Sequence, residues 1–469
     1  MKKLLNTIFP YNFYLHIFQL ERYDISRFFN WLRANWFARS NHNKKPLVIT
    51  FKIKALRVLS VLWFFILVVV ALAISPILAL GIAIILIIQP YLLVALSLVA
   101  LKPYEIFNRQ RVIDRTRNKI KTLKHTKVIG IAGSYGKTSV KDVLFHILKS
   151  DFKVIKTPLS YNTIFGIAQV VDLEVDDSHD YFLCELGEFQ KGDIKEMCEM
   201  VMPRYGIMTG INDQHLERFK NIKNTIATIF ELADYLKLSN QKTVANGINS
   251  YIKDEIARRN PEDFILYSGD SGELQVSDVR FSGNGTNFVL KYQGKIYPIE
   301  TPLLGYAHLN NILGAVTLAV QLGASIDKIA KRIETLPHVP HRFDQKTLAH
   351  GLLLIDNSYS SNSDSFKESL NILRELKVKN KILVTPGMVE LGDQSDSIHQ
   401  ELGKIADKIC SHVILVGKSD RTVALASQIT PEKVKWLDDI RLLWQATEAL
   451  GIDSKETAVL LENDLPDNY

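Results

Sequence analysis

From Val58 to Leu101 the chain runs for 44 residues without Asp, Glu, Lys, Arg or His, about twice the roughly 20 apolar residues that one bilayer-crossing helix needs. Pro76 and Gly81 interrupt this run near its middle, which predicts a helical hairpin over 58–76 and 80–101. The run starts too late and is too long for a cleaved signal peptide. Beyond residue 127 the pattern changes. Short β-rich runs (VIGIAG, YFLCELG, YGIMTGI) alternate with stretches of helical periodicity at 138–150 and 221–238. From 346 onward LLLIDNS, KILVTPG, HVILVGK and AVLLEND continue the alternation. This is the signature of an α/β fold with mostly parallel sheets, whose ligands are expected at the C-terminal ends of the strands.

Charge is distributed as unevenly as hydrophobicity. Residues 1–57 hold 11 Lys/Arg against 2 Asp/Glu, and residues 102–127 hold 9 against 2. Taking these surpluses of +9 and +7 from the chain's net +7 leaves residues 128–469 at −9. The basic character belongs to the flanks of the apolar run, so no nucleic-acid partner is expected. Basic flanks place both ends of the hairpin on the cytoplasmic side of a membrane, and with them everything that follows.

Before the hairpin, Phe18, Tyr23, Phe28, Phe29, Trp31 and Trp36 are interleaved with Arg22, Arg27, Arg33 and Arg39, a mixture suited to helices in the headgroup region of a bilayer. The alternative is a small helical cap. The segment RVIDRTRNKIKTLKHTK reads as a solvated amphipathic helix beside anionic lipid. Cys184, Cys198 and Cys410 show no CxxC spacing and are expected to be buried, reduced thiols. No internal repeat or low-complexity tract is present.

Chemistry concentrates in IAGSYGKTS, residues 131–139, where an apolar strand breaks into a glycine-containing turn and then a helix. In such a turn backbone N–H groups converge on a phosphate, Lys137 reaches the terminal phosphates and the Thr138 hydroxyl can hold Mg²⁺. The longer phosphate-loop pattern would place glycine at 131, where this chain has Ile131, so the motif is the shorter Gly133-x-x-Gly136-Lys137-Thr138. Two further groups lie at strand ends: Glu185 in CELGEFQKGDI and His215 in GINDQHLERF. A hydroxyl, a carboxylate and an imidazole from three strand ends make a suitable donor set for a metal that assists phosphoryl transfer.

Together, in this order and spacing, these motifs resemble the Mur ligase family of ATP-dependent peptidoglycan ligases over roughly 128–469. ELG-x-x-x-x-G-[DE]-I, HLERF, DNSY and GMVELG are most similar to its D-alanyl-D-alanine-adding branch. The resemblance assigns Gly133, Ser134, Gly136, Lys137, Thr138 and Ser139 to the ATP loop, and Thr138, Glu185 and His215 to Mg²⁺. It sets Asn311 near the adenine, and makes Arg342 and Asp356 the contribution of the C-terminal domain to the nucleotide. Lys137, Glu185, His215 and Arg342 would carry catalysis. Asn162 and Thr163, from an N-N-x-x-G segment continuing to Gly166, with Ser358, Tyr359 and Asn362, would face the substrates.

This implies five segments: a basic aromatic interfacial region (1–57), a transmembrane hairpin (58–101), a basic linker helix (102–126), a central ATP-binding domain (127–336) and a Rossmann-like C-terminal domain (337–469). The segment LPHVPHRF would be the hinge between the last two. The implied activity is ATP-dependent amide bond formation, joining D-Ala-D-Ala to a muramoyl peptide through an acyl phosphate. A ligase for a lipid-linked or poly-glutamate-type substrate and a non-catalytic nucleotide-binding scaffold are the alternatives. Three departures stand out. Ile229 occupies the place, fourteen residues after the motif histidine, of a family lysine that becomes carbamylated. Ala307-His308 replaces a His-Asn pair. The UDP-binding N-terminal domain has no counterpart, its place being taken by the apolar run.

Overall fold

The structure is a computed structural model, and it describes residues 10–463 apart from 22, 35–46, 160, 213–220, 269–272, 283–284, 340, 359–361 and 390. The chain divides into two compact units, one built from the chain up to Arg111 and the other from Val112 to Asp464.

The first unit is helical: α1 (Tyr11–Leu20), α2 (Ile25–Ala34), α3 (Phe51–Ile74), α4 (Pro76–Ile88) and the first part of α5 (Tyr91–Thr122). The apolar run is therefore divided differently from the expected two arms. Its first break is at Ser75, which is extended and accepts the Ile77 N–H, with Pro76 opening α4. The second break falls at Gln89 and Pro90, inside the stretch expected to be one helix over 80–101. Proline has no N–H with which to continue α4, and Pro90 instead starts α5 by accepting from the Leu93 and Val94 N–H groups at 3.1 and 3.3 Å. Among the described residues α3 and α5 are long and apolar enough to cross a membrane. The 13 residues of α4 span only about 20 Å, short of a hydrocarbon layer of about 30 Å.

Two of the rings expected in the headgroup region are packed inside the unit. Phe18 and Phe28 are fully buried and stacked at 3.7 Å, and they share a core with Ile53 and Leu56 of α3 and Tyr91 and Val94 of α5. Arg22, Trp36 and Arg39 lie outside the described residues.

Among its described residues the second unit holds three sheets. The first is wholly parallel and contains β1 (Lys127–Ala132), β2 (Val154–Lys156), β3 (Tyr181–Glu185), β4 (Tyr205–Met208), β5 (Thr243–Asn246) and β6 (Phe264–Tyr267), in the order β2-β3-β1-β4-β5-β6. A small antiparallel sheet follows, made of β7 (Leu274–Ser282), β8 (Gly285–Tyr292) and β9 (Lys295–Thr301). The last contains β10 (Asp344–Thr347), β11 (Leu353–Asn357), β12 (Asn380–Thr385), β13 (His412–Val416), β14 (Val434–Leu437) and β15 (Thr457–Glu462), ordered β10-β11-β15-β12-β13-β14 and parallel except for β10.

Helices cover both faces of the first sheet, which is why β1 is apolar along almost its whole length. On one face Ile129 and Ile131 pack with Val140 and Leu144 of α6 (Lys137–Leu148) and Ile312 and Val316 of the later helix Tyr306–Gln321. On the other, Val128 and Ala132 meet Ile167 and Val171 of α7 (Ile164–Glu174) and Phe230 of α8 (Ile222–Lys237). Helix Tyr306–Gln321 is α9, and α10 (Ser363–Glu375) packs Phe366 and Leu370 into the core of the last sheet. The chain leaves β1 towards β2 on one side and later returns through β4 on the other. The C-terminal ends of β1 and β4 thus flank the crevice where a doubly wound sheet binds ligands.

Candidate nucleotide site

The turn after β1 is held open by two glycines. Gly133 has φ +147°, and a Cβ there would lie 2.2 Å from Thr209 Oγ1; Gly136 has φ +80°, and a Cβ there would lie 2.6 Å from Asn311 Oδ1. The loop is tied to the end of β4, since Ser134 N–H donates to Gly210 O at 2.7 Å and the Thr209 hydroxyl donates to Tyr135 O. Gly136 caps α6, whose first-turn N–H groups open on the loop.

Glu185 ends β3 and is 2% exposed. It accepts from the Thr138 hydroxyl at 3.0 Å and from Lys141 Nζ at 3.0 Å on one oxygen, and from Asn162 Nδ2 at 3.1 Å on the other. Burial alone would raise its pKa, but Lys141 and Lys137, with the bonds from Lys141 and Thr138, outweigh it and hold the carboxyl below its ordinary range. Lys137 donates to Gly133 O and, at 3.1 and 2.9 Å, to both oxygens of Glu188, a carboxylate that is itself 6% exposed.

The loop opens beside a cleft of about 220 Å³ that the glycine-loop lobe shares with the C-terminal lobe. Tyr135, Gly136, Ser139 and Asn311 line one side; Arg342, Asn362, Asp364 and Glu368 line the other. His308, buried at the start of α9, donates from Nε2 to Arg342 O at 2.8 Å across this junction. Burial depresses its pKa to about 4, so the ring is neutral. Asp356, at the end of β11, pairs with His341 Nδ1 at 2.8 Å and accepts the Ser358 N–H at 3.1 Å.

The structure thus brings together Gly133, Ser134, Gly136, Lys137, Thr138, Ser139, Glu185 and Asn162, with Asn311 and Arg342 on the adjoining cleft. Thr163 and Asn362 serve as helix caps, accepting the Gly166 and Ser365 N–H groups at 3.2 and 2.8 Å. His215 and Tyr359 lie outside the described residues. Ile229 is fully buried in the core on the α7 and α8 face of the sheet. The three cysteines are free and buried.

Sequence reasoning missed Lys141, Glu188 and Glu368. Lys141 carried a signal, lying one helical turn beyond Lys137 on the same face of α6.

A nucleotide and Mg²⁺ fit these residues. The glycine turn is a cradle that side chains would fill, and Ser134 Oγ is buried beside it with no hydrogen-bond partner. Thr138 and Glu185 offer the hard oxygen donors that Mg²⁺ prefers. Among the described residues, no three His, Cys, Asp or Glu side chains form a metal cage on their own.

The Mur ligase middle domain matches residues 131–319, and the Mur ligase glutamate ligase domain matches residues 341–461. The UDP-N-acetylmuramoyl-tripeptide--D-alanyl-D-alanine ligase of Bacillus subtilis (strain 168) is 27% identical over 305 residues, 64% of this chain and 64% of that protein. The chain therefore spans a little under two thirds of that relative's length. The crystal structure of MurF from Acinetobacter baumannii superposes with a TM-score of 0.68 at 21% identity, covering 77% of this chain and 78% of that one. The MurF ligase from Thermotoga maritima, solved in complex with ADP, gives 0.66 at 21% identity, covering 77% and 81%.

Proposed function

This chain belongs to the Mur ligase family, and on that footing we propose that it is an ATP-dependent ligase of peptidoglycan precursor synthesis, joining D-Ala-D-Ala to a muramoyl tripeptide. The observation that carries this reading is the Thr138–Glu185 pair at 3.0 Å, set beside Lys137 at the mouth of a glycine loop. In the reaction, the substrate carboxylate attacks the γ-phosphate of ATP to give an acyl phosphate and ADP. The incoming amine then attacks the acyl carbon, and phosphate leaves as the amide forms. Lys137 and the first-turn N–H groups of α6 offset the negative charge spread over the transferring phosphoryl oxygens. Mg²⁺, held by Thr138 and Glu185, would supply further neutralisation. Arg342 approaches from the opposite wall of the cleft, so the two lobes must close for the nucleotide to be fully enclosed.

The first unit supports a membrane location for this activity. Val58, Val61, Phe65, Ile66, Val69, Ile74 and Ile77 of α3 and α4 are all more than 45% exposed, a surface that hydrocarbon would cover at no cost and water would not. With the basic flanks on the cytoplasmic side, the catalytic lobes would work at the inner membrane surface. Along the chain, that helical unit precedes the glycine loop in the stretch where the resemblance leads one to expect a UDP-binding domain, which favours a second reading in which the muramoyl peptide is presented on a membrane lipid.

The test is phosphate release by the purified full chain given ATP and Mg²⁺. Release that needs both UDP-muramoyl tripeptide and D-Ala-D-Ala supports the first reading, and release only with a lipid-linked peptide supports the second. ATP binding without release for any acceptor contradicts both.

A further inference from the structure

A groove of about 380 Å³ lies among α1, α3, α4 and the start of α5, within the helical unit. Four of its lining residues, Arg57, Ser60, Val61 and Phe64, recur at intervals of three and four along α3 and so share one face of that helix. This face is charged at one end and aromatic at the other, about 10 Å apart along the axis. Ile87 of α4 and Leu93 of α5 extend the apolar wall. Val61 and Ile87 are 56% and 38% exposed, so the groove opens on whatever surrounds the unit. At about 30 Å³ per water the space equals about a dozen waters, which this lining would hold poorly; a length of hydrocarbon chain suits it better.

The charged end lies at a defined level. Ser60 Oγ and Ser97 Oγ are buried 3.1 Å apart, and Lys52 Nζ meets Glu105 Oε1 at 2.6 Å. From one contact to the other α3 and α5 run in opposite senses, so the two helices are antiparallel and Arg57 falls between a neutral rung and an ionic one. It is also the last charged residue before the uncharged run of 44. A bilayer passes from headgroups to hydrocarbon at such a transition.

Arg57 donates to a neutral acceptor, Asn12 Oδ1, at 3.0 Å. Among the described residues no carboxylate pairs with it, whereas Arg27 has Glu21 at 2.9 Å and Lys52 has Glu105. A guanidinium carries five N–H donors in a planar fork that matches the oxygens of a phosphate. Basic pockets between spanning helices on the cytoplasmic side suit lipid headgroups for that reason.

We propose that this groove seats one anionic phospholipid of the cytoplasmic leaflet, with an acyl chain along the Val61 and Phe64 face of α3 and the headgroup phosphate on Arg57. This rests on the reading of the first unit as membrane-embedded. A single guanidinium answers a single phosphate, which favours a monophosphate headgroup over a carrier linked through a diphosphate.

The experiment is native mass spectrometry of the full chain in neutral detergent, titrated with phosphatidylglycerol or phosphatidylcholine. The expected result is one phosphatidylglycerol per chain, held at least ~10-fold more tightly than phosphatidylcholine, as for a hydrogen-bonded charge. Arg57→Gln removes that preference, and Val61→Trp, which fills the groove, weakens phosphatidylglycerol at least ~10-fold, with helix content by circular dichroism unchanged in both. Arg33→Gln, an equal loss of charge on exposed α2 outside the groove, changes neither. Equal retention of the two lipids by the wild type overturns the proposal, as does full retention by Arg57→Gln or Val61→Trp. An equal loss in Arg33→Gln overturns it by assigning the preference to the basic flank as a whole. Displacement by inorganic phosphate at matched concentration makes the site an anion site only, and displacement by a diphosphate-linked lipid makes it a carrier site; each overturns it. A chain that stays in solution without detergent and does not sediment with vesicles contradicts the membrane reading itself, whereas one that sediments without discriminating between the lipids overturns this proposal alone.

Discussion

The carboxylate of Glu368 accepts a hydrogen bond from the Ala307 N–H at 2.7 Å, so a side chain of α10 in the C-terminal lobe caps α9 of the glycine-loop lobe. Close approach is possible because Gly305 has no side chain; a Cβ there would lie 2.8 Å from Ile372 and 3.0 Å from Glu368. Burial raises the Glu368 pKa to about 7, against the opposing effect of the Ala307 and Tyr306 N–H groups. The folded state thus holds this proton more tightly than the unfolded chain. Its contribution to stability is present below the ordinary carboxyl range and is lost as pH rises through about 7, by at most about 3 kcal/mol. Glu368→Gln keeps an acceptor for Ala307 and removes the titration, so its melting temperature is expected to fall less than that of the wild type between pH 5.5 and 8. Parallel melting profiles would contradict the assignment.

His308 acts in the opposite sense. Its pKa is depressed by burial to about 4, so between the ordinary histidine value and 4 the unfolded chain takes up the proton first. Stability is present above about 6.5 and is lost as pH falls towards 4, again by about 3 kcal/mol. Histidine titration followed by NMR should find at least one imidazole that stays neutral at pH 5. If all of them protonate near 6.5, the burial of His308 at the lobe junction is wrong.

Lys141 and Glu185 form an ion pair at 3.0 Å with side chains 1% and 2% exposed. Removing one partner of so buried a pair leaves an uncompensated charge, which typically costs about 3–5 kcal/mol. Lys141→Met is expected to lose stability on that scale in urea unfolding. Lys156→Met, which breaks the half-exposed pair with Asp142, should lose about 1 kcal/mol or less. Equal effects would mean that Lys141 is not buried on Glu185.

Much of this site was legible in the chain because its parts are local. The glycine loop, the strand before it and the helix after it are contiguous, and Glu185 announces itself by ending an apolar strand. Glu188 was not legible, and Lys141 only through its spacing from Lys137, for the same reason in reverse. Each takes its meaning from a partner 44 or 51 residues away, and by itself a lysine on a helix or an acid in a loop reads as solvated surface. The apolar run was correctly seen as broken near Pro76, but Pro90 sits among residues so uniformly apolar that hydrophobicity masked the missing N–H. Composition likewise does not show that Phe18 and Phe28 stack against each other in the helical core.

Gly136 offers a test of the loop itself. Its φ of +80° and the 2.6 Å approach that a Cβ would make to Asn311 Oδ1 leave no room for alanine in this conformation. Gly136→Ala is expected to weaken nucleotide binding by at least ~10-fold while the circular dichroism spectrum stays unchanged, since a single strained turn costs about 1–3 kcal/mol. Unaltered affinity would place the nucleotide elsewhere.

The central claim is that ATP is gripped by the turn from Gly133 to Thr138 with Lys137 on its phosphates. The most direct measurement is calorimetry of a non-hydrolysable ATP analogue with the full chain and with Lys137→Ala. Saturable one-to-one binding that requires Mg²⁺, weakened by at least ~10-fold in the variant as expected for the loss of a hydrogen bond to a charged group, is the predicted result. No binding by the folded wild type, or equal binding by Lys137→Ala, would contradict it.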